Sequence, residues 1–143
     1  MVSIVIGSDN KGFDLKEKIK IILKESYGAP VNDVGTNNKM PCSYAEYTQM
    51  AVENILNGRN TFGILIDETG TGVSIAANRV RGIRACVVRT SSDAKLAKMY
   101  YDCNILCIGV DTVNMDEIDG IINEFLDNEF IGGKYANSLA MYD

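Results

Sequence analysis

Two rhythms of apolar residues alternate along this chain. Short runs rich in β-branched residues stand at Val2–Ile6, Pro30–Val34, Phe62–Ile66, Ile83–Val88 and Asn104–Ile108. Runs of that length without polar alternation suit strands covered on both faces. Between them the spacing becomes helical. In Lys11–Glu25, Leu15, Ile19, Ile22 and Leu23 form one stripe opposite Lys16, Glu17, Lys20 and Lys24. Tyr44, Tyr47, Ala51 and Ile55 share a face in a helix that follows Pro41-Cys42-Ser43 and ends at Gly58. A small-residue helix begins near Val73 and runs to about Val80, and another covers Ser91–Met99 behind a Ser cap. Met115, Ile118, Ile122 and Phe125 stripe a last long helix.

Strands alternating with helices predict an α/β fold: a single doubly wound domain over residues 1–143, with a five-stranded parallel sheet in a Rossmann-like three-layer α/β/α arrangement. The tail, residues 131–143, holds Gly132-Gly133 and then a short helix from Lys134. It is too short to build a core of its own, yet carries Tyr135, Leu139, Met141 and Tyr142. Packing on a neighbouring subunit would cover them, so a homodimer or homotetramer is expected.

Composition narrows the partners. A 143-residue chain with 46% hydrophobic residues can bury one sizeable core. A net charge of −5 without a Lys/Arg cluster argues against nucleic acid or an anionic membrane surface, and no apolar run reaches the length of a membrane span. A cytoplasmic protein directed at a small molecule fits best. There is no His, which removes Ser-His and Cys-His nucleophile pairs and makes a zinc site at Cys103 and Cys107 unexpected. All four cysteines read as reduced thiols, Cys86 and Cys107 as small buried hydrophobes.

The chemistry concentrates after the third run. Asp67, Glu68 and Thr69 stand at the carboxyl end of a predicted strand, where ligands bind in open α/β sheets. Gly70 and Gly72 then permit a tight turn into a helix, which aims backbone N–H groups and the positive end of a helix dipole at one point. An anion or a developing oxyanion would be held there. The plainer alternative is a tight connection whose acids serve only the dipole. As a dinucleotide fingerprint Gly70–Ile75 lacks a third small residue in place, and no Gly-Lys-Ser/Thr follows, so a nucleotide-binding module ranks low. Asp9 and Asn10 end the first strand as either helix cap or ligand contact, and Tyr44 stands in the first turn of its helix near the loop.

Several motifs together carry a resemblance. They are Gly7-Ser8-Asp9-Asn10-Lys11-Gly12-Phe13, Tyr44-Ala45-Glu46-Tyr47, Gly63-Ile64-Leu65-Ile66 with Thr69-Gly70-Thr71-Gly72-Val73-Ser74-Ile75-Ala76-Ala77-Asn78-Arg79, Gly82-Ile83-Arg84-Ala85, Asp102-Cys103-Asn104-Ile105-Leu106 and Gly132-Gly133-Lys134. Over essentially its whole length the chain resembles the family of ribose-5-phosphate isomerase B and the galactose-6-phosphate isomerase subunits. The resemblance implies aldose–ketose isomerisation of a sugar or sugar phosphate through a cis-enediolate, with no metal and no organic cofactor, in sites shared between two subunits. It also implies roles. Asp67 or Glu68 would be the base, with Asp67 standing where ribose-type members carry a catalytic Cys and Glu68 where the family has Gly. Thr69 and the amides of Gly70, Thr71, Gly72, Val73 and Ser74 would cradle the enediolate. Tyr100 takes the place of the ring-opening His, and Ser8, Asp9, Asn10, Tyr44, Tyr101 and Asn104 would line the pocket. Where the family's phosphate-binding set has a His the chain has Asn10, and at its three Arg the chain has Asp111, Lys134 and Ser138, so one cation replaces three. Those departures motivate a second reading: a non-catalytic or partner-dependent subunit completed by a paralogue, or a sugar-binding regulator.

Overall fold

The computed structural model describes residues 2–143. Five strands, β1 (Ile4–Ser8), β2 (Val31–Gly35), β3 (Phe62–Asp67), β4 (Ala85–Val87) and β5 (Ile105–Gly109), pair in parallel in the order β2-β1-β3-β5-β4. The helices are α1 (Phe13–Ile22, continued by a π turn over Leu23–Tyr27), α2 (Tyr44–Leu56), α3 (Thr71–Asn78), α4 (Ser91–Tyr101), α5 (Ile118–Asp127) and α6 (Lys134–Leu139). This is the expected doubly wound α/β fold, with β3 central and the direction of winding reversing beside it.

Alternate side chains along each strand enter different layers. Ile4, Ile6, Ile64, Ile66, Leu106 and Ile108 pack with α1, α4 and α5 through Leu15, Ile19, Ala94, Ala97, Ile122 and Phe125. Val5, Leu65, Ile105 and Cys107 face α2 and α3 through Ala51, Val52, Val73 and Ala77. Burial on both faces is why these strands read as unbroken apolar runs. Edge strand β2 is secured differently. The fully buried Lys16 reaches Asp33 at 2.5 Å, and Lys20 reaches the same carboxylate at 2.8 Å.

Three local expectations are corrected. Thr90, not a Ser, caps α4 by accepting from Asp93 N–H, which leaves Ser91 as the first helical residue. Met115 lies in a 3₁₀ turn (Met115–Glu117) and is exposed, because Asn114 caps that turn and the buried stripe begins only at Ile118. Cys86 and Cys103 are joined as a disulfide, since β4 and the residue before β5 run side by side with these Cα atoms 6.4 Å apart. Cys42 and Cys107 are free.

The tail docks partly on its own chain. Tyr135 stacks on Tyr100 with ring centroids 4.7 Å apart, Ile131 N–H donates to Met99 O, and Leu139 is buried. Met141 and Tyr142 remain exposed. No described helix is long and apolar enough to cross a membrane.

Candidate functional site

Strand β3 ends by presenting Asp67 on the α2/α3 side of the sheet, where its carboxyl is only 4% exposed. Alternation then sends the next side chain outward, so Glu68 is exposed and pairs with Lys11 at 2.8 Å. That ion pair holds the Glu68 carboxyl below its ordinary range and the Lys11 ammonium above its own. The two neighbouring acids are thus separated by direction: one is buried under the turn before α3, the other faces the solvent.

The turn after Asp67 uses most of its own donors. Gly70, at φ 79°, occupies a left-handed conformation that lets the backbone double back. Its N–H donates to Asp67 Oδ1, and Val73 N–H donates to Asp67 Oδ2 at 3.2 Å. Thr71 N–H donates to Thr69 Oγ1, and Ser74 N–H to Gly70 O. The expected cradle of amides from Gly70 to Ser74 is therefore narrower than the sequence implied. Gly72 N–H and the Thr69 hydroxyl proton are among the loop donors that the protein itself does not use. Gly72 is required by contact, because a Cβ there would meet Tyr44 Cζ at 2.8 Å and Asp67 Oδ2 at 3.0 Å. Tyr44 thus forms the wall opposite the acid.

Asp9 arrives from the end of β1. Its Oδ1 accepts from Gly12 N–H at 3.1 Å, which closes the turn ahead of α1; the N-cap itself is Gly12, so Asp9 is not the helix cap expected of it. Burial lifts its carboxyl above the usual carboxylate range, and the nearby Asp67 charge adds to that rise against the Gly12 hydrogen bond. Asn10 is turned to the loop before α2, where its Oδ1 accepts from Cys42 N–H at 3.3 Å. Asp111, past the end of β5, is tied to the site by its N–H on Glu68 O at 2.9 Å. Gly109 makes this approach possible, since any Cβ there would collide with Thr69. Among the described residues no group of three or more His, Cys, Asp or Glu is arranged to hold a metal ion.

Other predicted site residues do not join this cluster. Ser8 points to the opposite face beside Gly12, with its Oγ buried and without a partner. Asn104 precedes β5, and its amide is spent on Arg84 N–H (2.8 Å) and Gly82 O (2.9 Å). Tyr100 and Tyr101 end α4, and Lys134 and Ser138 lie on α6, which packs on α4 at the amino end of the sheet. A five-residue strand separates the two ends by about 17 Å. Within one chain these side chains cannot reach Asp67. Lys11 was missed as a site residue, although it is the cation of the turn after β1. Cys42, which fixes Asn10, gave no signal in the sequence.

A parallel doubly wound sheet with a buried acid and free donors at the tip of its middle strand is the layout of a small-molecule α/β enzyme. The chain belongs to the ribose/galactose isomerase family, whose model matches residues 4–142. It is 35% identical to ribose-5-phosphate isomerase B of Escherichia coli over 135 residues, covering 94% of this chain and 90% of that one. Ribose-5-phosphate isomerase B of Clostridium thermocellum superposes with a TM-score of 0.94 at 37% identity, over 98% of this chain and 94% of that one. The Mycoplasma genitalium ribose-5-phosphate isomerase B, solved with bound ribulose 5-phosphate, gives 0.91 at 32% identity, over 98% and 93%.

Proposed function

We propose that the protein is an aldose–ketose isomerase acting through a cis-enediolate on a sugar or sugar phosphate, with Asp67 as the base. The observation that carries this reading is the inward, buried placement of Asp67 beside Gly72 N–H and Thr69, with Glu68 turned away. The Asp67 carboxylate takes the proton from the carbon next to the carbonyl. The electron pair left behind forms the carbon–carbon double bond, and the carbonyl oxygen gathers negative charge. Thr69 O–H and Gly72 N–H stabilise that oxygen, a task worth about 3 kcal/mol per well-aimed donor. Asp67 then returns the proton to the neighbouring carbon, so base and acid are one group and no net proton is lost.

A second copy of the chain completes the pocket in this reading. Ile75 on α3, with Leu56 at the end of α2 and Val80 beyond α3, leaves an exposed apolar surface running from the middle of these helices to the amino end of the sheet, which association would cover. A partner copy would then bring Tyr100, Tyr101, Lys134 and Ser138 over Asp67. This role places the protein in the cytoplasm.

One observation favours a second reading, a subunit that binds sugar but depends on a paralogue for turnover: Asp67 itself holds two of the amides that would cradle an oxyanion. Incubation of the purified chain with pentoses, hexoses and their phosphates in D₂O, followed by proton NMR, separates the two. Interconversion with solvent deuterium at the reacting carbon supports the isomerase. Neither interconversion nor exchange with any sugar would refute it.

A further inference from the structure

The mouth of the site is acidic. Asp9, Asp67, Glu68 and Asp111 gather at the carboxyl ends of β1, β3 and β5, and Lys11 is the cation among them. Lys11 already pairs with Glu68 at 2.8 Å and lies in the fields of Asp9 and Asp111 as well. Four carboxylates against one ammonium leave three negative charges. The helix end that ordinarily attracts an anion is also largely occupied, because Gly70 and Val73 N–H are given to Asp67 and Thr71 N–H to Thr69, which leaves Gly72 N–H. Arg89 lies beyond the edge strand, and among the described residues no hydrogen bond or ion pair joins its guanidinium to the site. Even with Lys134 supplied by a partner copy, acids outnumber cations by two to one.

Resting on the isomerase reading, we propose that this site takes an unphosphorylated aldose or ketose in preference to its phosphate ester. A phosphate dianion would enter a field of its own sign within about one Debye length, ~8 Å at physiological salt. Sugar hydroxyls meet the opposite situation. They donate, and the free oxygens of Asp9 and Asp111 accept, as carboxylates do for neutral polyols. The relatives are named for sugar phosphates, so this chain's preference departs from those names.

Matched pairs test the inference: ribose and ribose 5-phosphate, allose and allose 6-phosphate, galactose and galactose 6-phosphate, each at low and high salt with the full chain. The preferred free sugar is expected to exceed its ester in kcat/KM by about tenfold or more, and the ester's kcat/KM is expected to rise with salt as the repulsion is screened. Asp111→Asn is expected to narrow the ratio by about threefold. Preference for an ester whose kcat/KM falls with salt would overturn the proposal while leaving the isomerase intact. Should no sugar be converted, the isomerase reading fails separately, and calorimetry with the same pairs decides. Tighter binding of free sugars supports the proposal; tighter binding of the esters, or binding of neither, overturns it.

Discussion

Asp67→Asn isolates the two tasks assigned to one side chain. The substitution keeps shape and volume but replaces one carboxylate oxygen with an NH₂ that cannot accept from a backbone N–H. Asp67 receives two such bonds, from Gly70 and Val73, and Asn can receive one. Losing one charge-assisted bond removes about 1.5–3 kcal/mol, and losing a charge at the start of α3 removes a further ~0.5–1 kcal/mol. Relief from holding a buried charge offsets part of this. The net expectation is a loss of about 2 kcal/mol, read as a reduced urea midpoint and a melting temperature lower by about 8 °C. The catalytic effect is separate and larger, because removing a positioned base typically lowers kcat by ~10²–10⁴. Turnover is measured well below the melting transition, on protein shown by circular dichroism to be folded. An unchanged urea midpoint would refute the stabilising role of the Gly70 and Val73 hydrogen bonds to Asp67. A kcat/KM within about threefold of wild type would refute the base.

Glu68→Gln, outside the pocket, is expected to cost less than about tenfold in kcat/KM in the same assay, and a loss equal to that of Asp67→Asn would reverse the assignment of the two acids. Gly72→Ala drives a methyl into Tyr44 and Asp67, so kcat is expected to fall by about a hundredfold while circular dichroism stays native. Lys98 is buried between Phe62 (3.9 Å) and Phe125 (4.3 Å), with Phe125 O as its acceptor, and burial lowers its ammonium from 10.5 to about 8. The unfolded chain therefore binds more protons between those values, so urea stability should rise from about pH 8 to 10.5, and Lys98→Met should flatten that rise. Mixing inactive Asp67→Asn with inactive Tyr100→Phe should restore about a quarter of wild-type activity, since half the molecules become heterodimers with one intact site each. No recovery after subunit exchange would show that the pocket is not shared.

The fold was legible because its signals are local. Ile4, Val5 and Ile6 enter different layers yet are all buried, so the run itself announced a strand covered on both sides. Boundaries shifted by a residue or two wherever a backbone contact outran the apolar pattern. β3 extends to Asp67 because its pairing with Gly109 continues past Ile66. The Cys86–Cys103 pairing depends on β4 lying beside β5, a neighbour relation invisible to spacing along the chain. The candidate site was half legible. Position at a strand's carboxyl end identified Asp9, Asp67 and Glu68, and the family resemblance added Asp111, but no sequence pattern states which way a carboxyl turns or which amides it consumes.

That last point governs the chemistry. A small neutral side chain at position 67 would leave Gly70 and Val73 N–H pointing at whatever enters the pocket, and the helix end would favour a negatively charged guest. Asp67 places a carboxyl group of the chain itself there instead, so the attraction of the helix end is met from within. What reaches the pocket then meets an acid that accepts, with Thr69 and Gly72 among the remaining donors. An acceptor beside two donors matches a carbon acid next to its carbonyl. It matches a dianion poorly. The proposed isomerisation and the proposed preference for uncharged sugars thus rest on the same geometric fact, that the buried Asp67 carboxyl itself closes the turn before α3.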